Sequence, residues 1–261
     1  MEVFVQSVGV LGPGLSGWTT SRAILAGLAP YRVAPTPRPV PDILPATERR
    51  RSGDAIRLAV AVAQEAMDAG GLAADSAATV FASSEGDGGI THRICEALAV
   101  PERDVSPTLF HNSVYNAPSG YWSIATGSRF TSTSLCAFDA SFAAGLLEAA
   151  GHVLVEHQPV LLIAYDVPSP QPLYAVRPVE VAFAAALLLT PTATPASLMR
   201  CDLRIERGTS RSAMPDMLPE RLWSNPAARG APLLAALARR TGQTVWLEYV
   251  NGSCVAVCCD P

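Results

Sequence analysis

The chain has 261 residues, of which 49% are hydrophobic and 16% charged, and its formal net charge is −4. That length and apolar content support a sizeable core in one large α/β domain or two small ones, and they exclude a disordered chain. The charge leaves no electrostatic footprint for nucleic acid, and the one dense basic run, Glu48 to Arg51, reads as a helix entrance.

Val3 to Leu11 alternates as a strand does, and Gly12-Pro13-Gly14 ends it in a turn rather than a phosphate loop, because the GK[ST] ending is missing. Trp18 to Leu28 reads as a short helix stopped by Pro30. Prolines at 30, 35, 37, 39, 41 and 45 make the next stretch an extended surface connection. Thr47 to Gly70 has helical spacing, with Gly70-Gly71 as its stop. Ala78 to Ser83 is a strand that runs into the loop SSEGDGG, and Thr91 to Val100 is a helix. The loop acids Glu85 and Asp87 suit a helix N-terminus better than paired acid/base work.

Residues 106 to 127, SPTLFHNSVYNAPSGYWSIATG, mix aromatics with small polar groups, a composition found where a surface is buried against a partner or ligand. His111 in this stretch reads as a hydrogen-bonded structural residue, since nothing adjacent favours a base role. Phe130 to Cys136 is then a strand, with Cys136 at the turn into a helix that Asp139 or Ser141 can cap and Gly151 can close. Pro159 to Asp166 is apolar throughout, as a strand covered on both faces must be. Val179 to Leu189 suits a buried helix or strand, and the pattern thins after Thr190. Pro232 to Arg240 reads as a helix. Asn251-Gly252 between TVWLEYV and SCVAVCC marks a tight hairpin.

No apolar run reaches the roughly 20 residues of a membrane span; the longest candidate, Val179 to Thr190, opens with Glu180. No basic patch followed by an apolar segment and a cleavage site begins the chain, so the expected location is the cytoplasm. Six cysteines, at 95, 136, 201, 254, 258 and 259, lack disulfide or CxxC spacing and read mostly as small hydrophobes. No histidine follows His157 to complete a Cys/His zinc site, so no metal or cofactor is expected.

Residues 127 to 167 resemble the condensing enzymes, the β-ketoacyl synthases of fatty acid and polyketide assembly. Gly127, Phe130, Thr131 and Cys136 fall on that family's glycine, strand and nucleophilic cysteine. VQSVGVLGPG and RLAVAVAQEAMDAGGL resemble its first strand and first long helix. The stretches SFAAGLLEA, VLLIAYD and FAAALLLTP, together with residues 106 to 127, resemble a narrower group, the short chain length factors of aryl polyene synthesis. The resemblance implies a truncated thiolase-like α/β fold over one domain, residues 1–261. Residues 1–190 then correspond to the ketosynthase N-terminal half, and 191–261 form a divergent closing segment with a C-terminal hairpin.

Decarboxylative condensation needs a thiolate and donors for the developing enolate. Active family members supply those donors from two histidines in the second half of the fold; here the four histidines end at His157. A helix N-terminus would activate Cys136, while Asp139 one turn on would oppose the thiolate. The favoured expectation is a catalytically silent subunit with a buried, inert Cys136 at the nucleophile-equivalent position. Its partners would be an active β-ketoacyl synthase and an acyl carrier protein. The resemblance implies an interface and tunnel wall that comprise Phe110, His111, Tyr115, Asn116, Tyr121, Trp122, Phe130 and Phe138. The alternative is an acyltransferase or condensing enzyme that uses Cys136, and a weaker third reading is a small-molecule binding module on the same aromatic surface.

Overall fold

A computed structural model describes all 261 residues. In chain order the elements are β1 (Glu2–Gly12), β2 (Leu15–Ser16), α1 (Trp18–Leu25), α2 (Ala46–Arg51), α3 (Asp54–Gly70), β3 (Ala78–Ala82), α4 (Gly88–Ala99), α5 (Pro107–Asn112) and α6 (Ala117–Thr126). They continue as β4 (Ser132–Leu135), α7 (Ser141–Glu156), β5 (Val160–Asp166), β6 (Phe183–Thr190), β7 (Met199–Arg207), α8 (Ala231–Arg239), β8 (Gln243–Glu248) and β9 (Ser253–Asp260). All nine strands join one sheet in the order β4-β3-β5-β6-β1-β7-β9-β8, with the short β2 beside β1. β4, β3 and β5 run parallel, and every other neighbouring pair is antiparallel.

The sheet is covered on both faces at β5 and β6, which is why these two strands read as unbroken apolar runs. One cluster packs α1, α7 and α8 on one face, and a second packs α3 and α6 on the other. β1 turns Val3, Val5, Val8 and Val10 to the same core despite the odd step from Val5 to Val8. A bulge at Gln6 absorbs the extra residue. Gln6 and Ser7 then bond the last turn of α3, through Gly70 O at 2.6 Å and Ala66 O at 2.5 Å.

Several expected boundaries move for identifiable reasons. The helix expected over Thr47 to Gly70 is two helices, α2 and α3, because Ser52 and Gly53 are extended. Gly151 does not end α7, which continues to Glu156 and closes on His157 at φ 51. Residues 106 to 127 hold α5 and α6, each opened by a proline in its first turn. Val179 to Leu189, open between helix and strand, forms a strand from Phe183 onward. β7 lies where the pattern had thinned, with Met199, Cys201 and Leu203 buried in alternation. The hairpin is as expected: Asn251 and Gly252 have φ of 55 and 69, and Ser253 N–H bonds Val250 O at 3.2 Å.

The segment Phe138 to Glu156, rather than Val179 to Thr190, is long and apolar enough to cross a membrane by length and composition alone. Half of it is buried here, with Gly145 against Ala82 and Leu162 of the sheet, as a core helix of the fold. On the opposite face, α3 approaches β1 so closely that a Cβ on Gly9 would lie 2.2 Å from Val62 O. That contact is with backbone, so no rotamer change relieves it. Gly9→Ala is therefore expected to lower the unfolding free energy by about 3 kcal/mol in denaturant titration. An unchanged midpoint would mean that α3 rides outward freely.

Candidate functional site

The three parallel strands end together, with Ala82 opposite both Leu135 and Ala164. Just beyond Ala82 and Leu135 lie the loop Ser83–Asp87 and the turn Cys136–Ala140, beside Asp166, the last residue of β5. Asp166 is wholly buried, and its carboxylate gathers four donors. Oδ1 accepts from Ser84 N at 2.7 Å, Ser84 Oγ at 2.8 Å and Ser83 Oγ at 2.9 Å, and Oδ2 accepts from Ala227 N at 3.1 Å. Its backbone carbonyl accepts from Asn225 Nδ2 at 3.0 Å. Burial pushes the Asp166 pKa up to about 6, against the pull of the Ser84, Ser83 and Ala227 donors.

Cys136 is exposed, not the buried packing residue expected, and its thiol donates to Ser84 O at 2.9 Å. Tyr115 supports the same turn, since its hydroxyl lies against the carbonyls of Ser83 and Leu135 and accepts from Ser83 N at 3.1 Å. Burial, and then the neighbouring Cys136, push the Tyr115 phenol upward. No histidine joins this group. His92 pairs with Glu96 at 3.3 Å, His152 with Glu148 at 3.2 Å, and His157 ends α7. His111 is exposed, with its ring edge-on to Tyr121 at 6.2 Å.

The left-handed residue of the turn is Phe138, φ 52, rather than Cys136. A nucleophile elbow places its reactive side chain on the strained residue; here the strain, on the order of 1–3 kcal/mol for a non-glycine residue, falls two positions later. Neither expected cap works as one. Ser141 Oγ accepts from Ala137 N at 3.1 Å and donates to Phe138 O at 2.7 Å. Asp139 instead binds Arg177 at 2.6 Å and Arg229 at 2.9 Å, so its charge is answered by two guanidinium groups. Arg177 also stacks 3.8 Å over the Phe138 ring. In the loop before α4, Asp87 caps the helix by accepting from Ile90 N at 3.1 Å, and Glu85 accepts from Ser169 Oγ at 2.8 Å. Asp87 is partly buried rather than solvated, and that burial raises its pKa.

The aromatic residues divide. Phe110, Phe130 and Phe138 are 68%, 45% and 60% exposed. Phe110, His111 and Asn116 line a groove of about 470 Å³ with Val114 and Ile124, and buried Tyr121 lies beneath it. Tyr121 donates to Asn112 Oδ1 at 2.9 Å. Trp122, like Tyr121, is 1% exposed and packs in the core with α3 and the sheet, so in the chain alone neither offers a surface. Composition signalled their burial correctly but not against what.

Sequence reasoning passed over Asp166, Arg177, Arg229 and Glu248. Only Asp166 carried a signal, as a lone acid closing an otherwise apolar strand. Its raised pKa means that protonation favours the fold: the contribution is complete below about pH 4 and is lost as pH rises through about 6. The span of about 2 pH units corresponds to roughly 3 kcal/mol. Asp166→Asn should flatten the fall in stability between pH 4 and 6 by about that amount, read from denaturation midpoints. Glu65 and Asp87, also raised by burial, leave a smaller slope of the same sign. A slope that Asp166→Asn leaves unchanged would contradict the assignment.

No curated protein matches the chain significantly. Among solved structures, the ketosynthase (ApeO) in complex with its chain length factor (ApeC) from Xenorhabdus doucetiae is similar at TM-score 0.75 and 21% identity, over 99% of each chain. The ishigamide ketosynthase/chain length factor gives TM-score 0.76 at 12% identity, again over 99% of each chain. A β-ketoacyl synthase from Burkholderia phymatum gives 0.61 at 16% identity, over 92% of this chain and 71% of that one. At these identities the likeness is one of fold. The family model of the β-ketoacyl synthase N-terminal domain matches residues 27–245, most of the length, and the chain belongs to that family.

Proposed function

We propose that this chain is a chain length factor: a subunit without condensing activity of its own that pairs with an active β-ketoacyl synthase and shapes the tunnel for its growing acyl or polyene chain. The observation that carries the reading is the open edge of β4. β4 pairs only with β3. Thr131 O and Leu135 O face β3, so by strand alternation the backbone groups of Ser132 and Ser134 face outward. An open edge is a template for another chain. Here exposed Phe110, Val114, Ile124, Phe130 and Phe138 accompany it, an apolar surface of the kind that marks association.

The complexes named above are of a ketosynthase with a chain length factor, and this chain covers 99% of the matched chain in each. A further similar structure is of AntDE with AntF, a ketosynthase bound to its acyl carrier protein, which supports a carrier as a second partner. Silence is supported by Cys136, whose S–H is bonded to a carbonyl with no histidine in the group. A second reading has one observation in its favour, the exposure of Cys136: an acyl thioester at that sulfur, with a base from elsewhere.

The test is co-expression with β-ketoacyl synthases, followed by reconstitution with an acyl-loaded carrier. The expected result is a stable heterodimer whose product yield is unchanged by Cys136→Ala, with no acyl mass on Cys136. An acyl adduct, with product lost in Cys136→Ala, would establish the second reading, and a chain that never co-purifies would overturn the first. Replacing exposed Phe110 with Ala is expected to lengthen the product made by the heterodimer that forms, read by mass spectrometry.

A further inference from the structure

Phe138 is an exposed aromatic side chain in a left-handed backbone conformation, φ 52, three residues past the end of β4. A bulky residue stays in that region only where its surroundings over-determine it. A turn needed only for chain reversal would use glycine or asparagine. The surroundings of Phe138 are an alternating series of charges. The Arg177 guanidinium lies 3.8 Å over one face of the ring and binds Asp139 at 2.6 Å. The other Asp139 oxygen takes Arg229 at 2.9 Å, and Arg229 binds Glu248 of β8 at 2.8 Å. The Arg177 and Arg229 side chains are only 15% and 18% exposed and Asp139 29%, so the inner pairs are sheltered, while Glu248 at the outer end is 44% exposed.

The series joins the loop before β6, the turn before α8 and the closing hairpin to one side chain that nothing in the chain covers on its outer face. We infer that Arg177, Asp139, Arg229 and Glu248 form a clamp that presets the Phe138 ring as an anchor, and that its open face enters an apolar pocket of the β-ketoacyl synthase subunit. The inference rests on the pairing proposed above and adds residues outside the expected interface to it. Aromatic anchors dominate binding when they are central and desolvated. Holding one in its bound conformation beforehand removes the ordering cost of association. Phe138 lies three residues past the open edge of β4 and is 60% exposed, close to where an added strand would pair. Residues 191–261 thereby take part in binding through Arg229 and Glu248.

The experiment measures the affinity of purified variants for the β-ketoacyl synthase that co-purifies with the wild-type chain, with thermal melting of each isolated variant as a check on folding. Phe138→Ala is expected to weaken binding about 30-fold or more, and Phe138→Tyr to retain it. Arg177→Gln is expected to weaken it about tenfold. In the double variant, Arg177→Gln should add nothing to the loss from Phe138→Ala, because the clamp acts only through the ring. Wild-type affinity in a folded Phe138→Ala variant would overturn the anchor while leaving the pairing in place. Additive losses would mean that Arg177 touches the partner directly and would overturn the clamp. Absence of any ketosynthase bound to the wild-type chain would overturn the pairing and the inference with it.

Discussion

The buried carboxylate of Asp166 is the tie on which the arrangement of the site depends. It closes β5 and holds Ser83 and Ser84 from the loop after β3 and Ala227 from the turn before α8. Three segments distant in sequence thus share one anion. Without its donors the group would be a desolvated charge with no compensation, which is a strong reason for all three to stay docked. Burial outweighs the donors even so, and the raised pKa records the imbalance.

From that tie the order spreads outward. The carbonyl of Ser84 receives the Cys136 thiol, and that of Ser83 receives the Tyr115 hydroxyl, so the turn after β4 is held against the loop that Asp166 fixes. Asn225, two residues before Ala227, bonds the backbone of Asp166 and Val181 and brings the start of the C-terminal segment onto the end of β5. Arg229 follows and reaches both Asp139 and Glu248. The closing strands β7, β9 and β8 therefore extend the sheet on one side, while the turn between β7 and α8 braces the Cys136 turn through Arg229. The turn that carries Cys136 is thus tied at several points to its neighbours and lies beside an open strand edge.

Much of the framework was legible because it is written in local chemistry. VLLIAYD announces a strand covered on both faces, Asn-Gly announces its hairpin, and the proline run announces an extended strap. The placement of Cys136 between strand and helix was legible for the same reason. What escaped depends on distance in sequence. Arg177 meets Asp139 across 38 residues, and no short window marks either as a partner. Trp122 and Phe138 have similar aromatic character, yet one is core because α6 packs on α3, and the other faces solvent on a turn beside Arg177. Gly151 was misleading because a glycine with open space around it is tolerated inside a helix that packing stabilises.

In the proposed heterodimer another chain completes the sheet at β4. Amide hydrogen exchange of the chain alone and in complex with its β-ketoacyl synthase tests this most directly, because the outward amides of Ser132 and Ser134 have no backbone partner in the isolated fold. These two amides are expected to become strongly protected in the complex, while Thr133, already turned toward β3, changes little. A complex that forms while Ser132 and Ser134 exchange as fast as in the free chain would contradict it.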